Sequence, residues 1–567
     1  MSTVQEQTKR RRKKKRSPLI PLLVIFALVA AAVATAIHFL DEPEPEPIRL
    51  TYRTMYVASP SETVSATVYD EEGQPQELVL YRGTQVQRVE EELAEDAMPR
   101  ILLDEEAGTF AWLPEKNLSA DEAHAVTTET VYARRTVNLL DEAGVTPGDL
   151  VQKGDALAVT GFQGLGEDGS VARWQVEDGW IRADLTAPTQ AEAAAVADET
   201  LAAFHAARGD SWGGGEAGGL DYDPWEKPRF ADNPMPETVK ALYMNNDSIP
   251  NVEDFIDIAD HCGINAFVVD IMDGGAIGYA SPTMEDFSPS AYRGAYNTLE
   301  DYQHACRRLK EAGYYIIGRI TAFNDPNLAV DHPECLISDV ATGAPLKVVG
   351  MYWPSVYDRT VWKYKVDLAL EAVELMGFNE IQFDYMRFPD GAWSYEQAGT
   401  IDYHNTYGES KAQAVQRFLM YAAQRLHDAG VYISCDVFGE CAEDYVTAYG
   451  QYWPAMSAVV DAISGMPYPD HYPAQGNYLP WEHPYETLLA FGQKAMARQS
   501  ETPGQPAAVR TWIQAYNAIR EPYPTYGPDE VAAQIRALQD AGCTGGYMTW
   551  NGAGSRAKYR TLMPGLT

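Results

Sequence analysis

The sequence predicts an α/β protein whose C-terminal part is a (β/α)8 TIM barrel, preceded by small all-β modules and an N-terminal transmembrane helix. Three observations carry that reading. Strand-like and helix-like runs alternate about eight times over residues 236–567; residues 48–190 hold short β signals split by turns; and residues 18–40 form one long apolar run.

Taken in order, "KRRRKKKR" (9–16) gives residues 1–40 a net charge of +7, so the rest of the chain carries −44 within a total of −37. A body this acidic repels phosphate backbones, which excludes nucleic acid as a partner. The run "PLIPLLVIFALVAAAVATAIHFL" (18–40) has no formal charge apart from His38. At about 1.5 Å per residue it reaches roughly 35 Å, enough for a hydrocarbon core of about 30 Å. Residues 1–16 are thus expected as a cytoplasmic tail, 17–40 as a membrane anchor, and everything after as extracellular. A signal peptide cleaved near "AVATA" is the alternative, and it also exports the working domains. "DEPEPEP" (41–47) is an extended acidic spacer.

Residues 48–122 and 123–190 read as two β modules. "GTFAWLPEKNLSA" (108–120) and "EDGWIRADLTA" (177–187) each place a Trp-centred strand after a turn and close on Leu-Ser/Thr-Ala, which marks an internal repeat. The second copy resembles bacterial SH3-like modules, whose last strand carries Gly-Trp and a β-branched residue, here Gly179, Trp180 and Ile181. That resemblance implies cell-wall peptide binding or a spacer role. A helical and Gly-rich linker is expected over 191–235.

The barrel strands are "VKALYMN" (239–245), "INAFVVDIMDG" (264–274), "YYIIGRITAF" (314–323), "EIQFDYMRFP" (380–389), "VYISCDVFGE" (431–440), "DAISGMPYP" (461–469), "VRTWIQAY" (509–516) and "GGYMTWNG" (545–552). Helical patterns over 252–263, 299–313, 359–377 and 411–430 intervene, each ending in Gly. An open doubly wound sheet is the lesser alternative; no Gly-rich phosphate fingerprint follows any strand. The six cysteines lie in the C-terminal half without CxxC or Cys/His spacing, so no zinc site is expected, and acidic loops lack EF-hand spacing; Cys435 and Cys441 are the pair closest in sequence. No cofactor is implied.

In such a barrel the active site lies where strands end. Polar residues collect there: Asp270 and Asp273, then Arg319 with Asn324 and Asp325, Asp384 and Arg387, Asp436 and Glu440, Tyr468, Asp470 and His471, Gln514 and Tyr516, Trp550 and Asn551. Period-two alternation places Gln382 with Asp384, and Ser434 with Asp436, on one face of adjacent strands. Two carboxylates with aromatic platforms (Trp353, Tyr385, Tyr468, Tyr472, Tyr516, Trp550) suit glycosidic bond cleavage. Asp384 and Asp436, with Glu440 as substitute, are the catalytic candidates. Asp270, Arg319, Arg387, Tyr385, Tyr468, His471, Gln514, Tyr516, Trp550 and Asn551 are the substrate-binding candidates; Arg387 and Gln514 would bond sugar hydroxyls or hold a carboxylate ionised. Bland roles compete: Asp270 as a structural partner of Arg319, Glu440 as a solvated helix start, Asp461 as structural, the aromatics as barrel packing. No Ser-His-Asp order or G-x-S-x-G elbow supports acyl transfer.

"GFNEIQFDYMRFP", with "SCDVFGE", "DAISGMPYPDHY", "RTWIQAY" and "GGYMTWNG" after it, resembles a bacterial glycoside hydrolase family long catalogued as a domain of unknown function. The resemblance covers about 236–560. It implies a TIM barrel distantly similar to α-amylase-like enzymes, with Asp384 as nucleophile and Asp436, or else Glu440, as acid/base. Cys435 stands where that family's fifth strand is expected to carry a small residue such as Ala. The expected function is hydrolysis of an extracellular or cell-wall polysaccharide; the rivals are a non-catalytic, membrane-anchored polysaccharide-binding protein and a scaffold spacing membrane partners.

Overall fold

The computed structural model describes residues 50–566 except 60–63, 95–96, 106 and 196–212. The expected anchor at 17–40 lies outside the described residues; among those, no helix is long and apolar enough to cross a membrane. The chain divides into two compact units, one running to Ala133 and resuming over Asp155–Ala193, the other made of Arg134–Gly154 and Ala194 onward.

The expected repeat shows in matching strand pairings. Tyr52–Val57 pairs antiparallel with Gln85–Val89 and Leu118–Ser119; Thr130–Ala133 pairs in the same way with Ala156–Leu165 and Thr186–Ala187. In each copy a 3-10 turn, Glu115–Asn117 or Ala183–Leu185, precedes the short closing strand. Alternation buries Met55 and Val57 of the first copy and Val131 and Ala133 of the second.

The second unit is mixed α/β, built around a nearly closed parallel barrel of the TIM type. Its strands are β1 (Val239–Met244), β2 (Ala266–Asp273), β3 (Tyr315–Thr321), β4 (Glu380–Asp384), β5 (Tyr432–Phe438), β6 (Ala462–Met466), β7 in two pieces (Ala508–Val509 and Thr511–Gln514) and β8 (Gly546–Trp550). Neighbours pair in parallel around the ring, and β8 pairs with β1 through Gly546 and Val239. Helices follow: α1 (Val252–Asp260), α2 (Leu299–Glu311), α3 (Arg359–Met376), α4 (Lys411–Asp428), α5 (Trp453–Ser457), α6 (Pro484–Glu501), α7 (Pro528–Asp540) and α8 (Arg556–Leu562). Their starts are written locally: Asp358 caps α3, and Ser410 forms a capping box with Gln413 at α4. Gly377 ends α3 in the left-handed conformation, φ 71°, where a Cβ is penalised.

Arg510, between the two pieces of β7, turns its side chain into the barrel. The Arg510 guanidinium donates to Glu380 Oε1 at 2.7 Å, and Glu380 also accepts from Tyr315 and Ser434, so the lower barrel is plugged by a fully buried, bonded polar cluster. Within the expected linker, the stretch from Gly213 to Met235 is bonded to the barrel: Lys227 Nζ donates to the Ser457 carbonyl closing α5 at 2.8 Å, and Asn233 to the carbonyls of Asn379 and Gly430. All six cysteines are free and buried, Cys435 and Cys441 included.

The upper ends of β4 and β5 are stitched by one side chain. Their ladder ends at Phe383 and Cys435. Beyond it, buried Gln451 donates to the carbonyls of Met386 and Asp436, both at 3.3 Å, and accepts from Phe438 N–H at 2.9 Å. A Gln451→Leu protein is expected to lose about 1–3 kcal/mol in urea unfolding, because buried backbone groups lose their partner.

Candidate functional site

Alternation along β3 turns Arg319 into the barrel at the mouth, and four carboxylates gather around it. Its Nη1 donates to Asp270 Oδ1 at 2.7 Å, and its Nη2 faces Asp384 Oδ2 at 2.5 Å and Asp273 Oδ1 at 3.4 Å. Its Nε lies 3.7 Å from Asp436 Oδ2, within ion-pair range and too long for a hydrogen bond. Tyr243 bonds the other oxygen of Asp270, and Trp512 Nε1 donates to Asp436 Oδ1 at 2.8 Å. Asp384 Oδ1 accepts from the N–H of Tyr385 at 2.6 Å, and Tyr385 takes the left-handed backbone conformation, φ 52°. The Arg319 guanidinium lies 5.2 Å from the centre of the Trp550 ring.

Burial separates these acids. Asp436 has no exposed surface, Asp270 1% and Asp384 4%, whereas the Asp273 side chain is 37% exposed. Burial pushes the Asp436 carboxyl well above the ordinary range; the Asp384 charge adds to that, and Arg319 and Trp512 oppose it. Burial likewise raises Asp270, to about 7, with Asp273 adding and Arg319 and Tyr243 opposing. A carboxyl raised above its unfolded value of about 3.9 stabilises the fold fully at low pH and ceases to do so as pH climbs. Between pH of about 4 and about 7, melting temperature is therefore expected to fall through this group, and to fall less in Asp270→Asn, checked by calorimetry across that range.

Several expected residues stand elsewhere. Arg387 does not touch Asp384. Its guanidinium bonds Asp390 at 2.8 Å and the Phe388 carbonyl, among the rings of Trp353, Tyr385 and Phe438 at 5.0, 4.9 and 4.2 Å. The partner of Asp384 is Arg319, the residue that was expected to contact sugar. Glu440 lies in the short turn Gly439–Ala442 and accepts from Tyr445 at 2.9 Å and Tyr449 at 2.8 Å. Gln514 is fully buried and spends its amide on Asp470 N–H and the Tyr516 carbonyl; Asn551 bonds the Ser555 carbonyl. Both brace loops. Buried Asp470, held below the usual carboxylate range by bonds from His471, Tyr516 and Ile519 that outweigh desolvation, leaves His471 exposed at the rim. Tyr468 stacks toward Trp550 with centroids 6.4 Å apart. Asp325 is a buried partner of Lys365 at 2.7 Å, and Asp461 pairs with His427, as a structural acid should.

Trp512, Tyr243 and Gln451 were missed. Trp512 had a signal, lying two residues before Gln514 on the same face of β7. Gln451 had none, since it sits in a loop far from the strands it joins.

Carboxylates converging at the C-terminal mouth of the barrel stand where enzymes of the TIM-barrel class carry their chemistry. Residues 241–556 match the family described as "putative glycosyl hydrolase domain", and the chain belongs to that family. No curated protein matches the sequence. Among solved structures, a hypothetical protein from Ruminiclostridium thermocellum ATCC 27405 is 32% identical over 35% of this chain and 97% of its own, with a TM-score of 0.29. The glycoside hydrolase domain of PgaB (BpsB) from Bordetella bronchiseptica is 12% identical over 58% of this chain and 99% of its own, TM-score 0.40. A class V chitinase from Pseudomonas fluorescens Pf-5 is 12% identical over 58% and 100%, TM-score 0.36. These scores lie below 0.5, so the assignment rests on the family match.

Proposed function

We propose that the protein hydrolyses glycosidic bonds of an extracellular or cell-wall polysaccharide, using Asp384 as nucleophile or base and Asp436 as acid. One observation carries this: the acids ending β4 and β5 face a single guanidinium in unequal surroundings. Asp384 is paired with Arg319 and oriented by the Tyr385 N–H, which fits it for the role of nucleophile or base. Asp436 is driven toward its protonated form by burial, so it holds the proton that the leaving oxygen must receive. In the reaction that proton passes to the glycosidic oxygen as the C–O bond breaks, and water, directly or after a covalent stage on Asp384, completes the sugar and restores the acid. Tyr385 and Trp550 are the rings placed to stack on sugar faces. Anchoring through residues 18–40 and docking of the two β modules on cell-wall peptide complete the proposal.

A second reading, a polysaccharide-binding barrel without catalysis, is favoured by the absence of exposed surface on Asp436. Hydrolysis requires the mouth to open over that carboxyl. The protein is to be incubated with a panel of bacterial surface polysaccharides and reducing ends counted. Release by the parent and none by Asp384→Asn supports hydrolysis; binding without release by either supports the second reading.

A further inference from the structure

In the barrel unit the exposed large apolar side chains among the described residues all lie in segments between a barrel strand and the helix that follows it, at the end of the barrel carrying Asp384. The loop after β3 folds into a hairpin pairing Lys347 with Tyr352 and Val348 with Met351, so its turn is Val349-Gly350. Both turn residues have positive φ, 53° and 78°, a geometry that favours Asn-Gly and penalises a β-branched residue. Val349 is also 61% exposed. Backbone geometry does not account for valine there.

A Cβ on Gly391, in the loop after β4, would meet Val349 Cγ2 at 2.9 Å, so the hairpin tip rests against that loop. Two residues on, Trp393 is 38% exposed, and Met351 beside the tip is 37% exposed. Inward, Trp353 lies 5.8 Å from Tyr385, the neighbour of Asp384. Met351, Val349 and Trp393 thus form an apolar ridge on the outer side of these loops, above a buried layer of Val348, Trp353 and Ala392 that borders Tyr385. The hairpin half of the ridge is poor in charge: "APLKVVGMYWPSVY" (344–357) holds one charged residue, Lys347, and the loop after β4 adds Asp390, which is paired with Arg387. Asp273, exposed at the mouth, adds negative charge where the ridge ends.

We infer that this ridge is a platform for an uncharged polymeric glycan, laid along the loops after β3 and β4 with its far end over Asp384. The inference rests on the hydrolase reading for direction but not for binding. Pyranose rings offer apolar faces to Trp393 and the hairpin tip, and the acidic body repels polyanions.

The test is affinity electrophoresis of the full-length Asp384→Asn protein in gels containing hydroxyethyl cellulose, starch, glycol chitin or alginate. Retardation by at least one neutral polymer and none by alginate is expected, with affinity reduced about tenfold in Trp393→Ala. Val349→Asn is expected to melt at a higher temperature while binding more weakly, since it relieves the turn and removes the apolar tip. Retardation by no neutral polymer, stronger retardation by alginate, or unchanged binding in Trp393→Ala overturns the platform. So does a change from dimer to monomer in Trp393→Ala by light scattering without any glycan effect, which assigns the ridge to a second copy. Should Asp384→Asn retain hydrolysis while Trp393→Ala loses binding, the role of Asp384 falls and the platform stands.

Discussion

Asp384→Asn is expected to lower polysaccharide hydrolysis at least about a thousandfold while the protein stays folded. The amide keeps the shape of the carboxyl and its one oxygen still accepts from the Tyr385 N–H, while Arg319 loses this acceptor and keeps Asp270, so the β4 terminus holds its geometry. What it loses is the anion that attacks carbon or takes a proton from water. The change also removes one negative charge from a cluster where three other carboxylates surround one guanidinium, so the stability cost stays small. Reducing-end release and far-ultraviolet circular dichroism, measured side by side, decide the matter. Parent-like release by the variant refutes the assignment.

Arg319→Met is expected to cost about 3–5 kcal/mol of stability, because removing one partner of a buried ion cluster leaves the others uncompensated. Here Asp270, Asp384 and Asp436, all at most 4% exposed, lose their cation together. Lower pH protonates the Asp270 and Asp436 carboxyls, which burial already raises, and removes uncompensated charge, so the deficit is expected to be larger at pH 8 than at pH 5. Urea unfolding at both values measures it. A deficit equal at the two values would mean that Arg319 serves packing rather than charge balance.

Much of the barrel was legible because its signals are local. Each of the eight strand runs contains an observed strand, and the four helical patterns became α1 to α4. Alternation alone set Asp384 and Asp436 on inward faces, and the competing reading of Asp270 as a partner of Arg319 anticipated their 2.7 Å contact. Elsewhere nearness in sequence misled. Arg387, three residues past Asp384, points instead into an aromatic enclosure, since the left-handed turn at Tyr385 redirects the chain. Gln514 and Asn551 sit at strand ends yet spend their amides on neighbouring loops.

What the amino-acid order determined by itself was the alternation of strand and helix, the caps, the paired turns of the β repeat and the two faces of each strand, all set by contacts a few residues apart. Ring closure alone decided which acids share Arg319, which of them are covered, and that Gln451 and Trp512 brace them. Those contacts join residues from 15 to 117 positions apart, and side chains so separated meet only when the barrel brings its strands together.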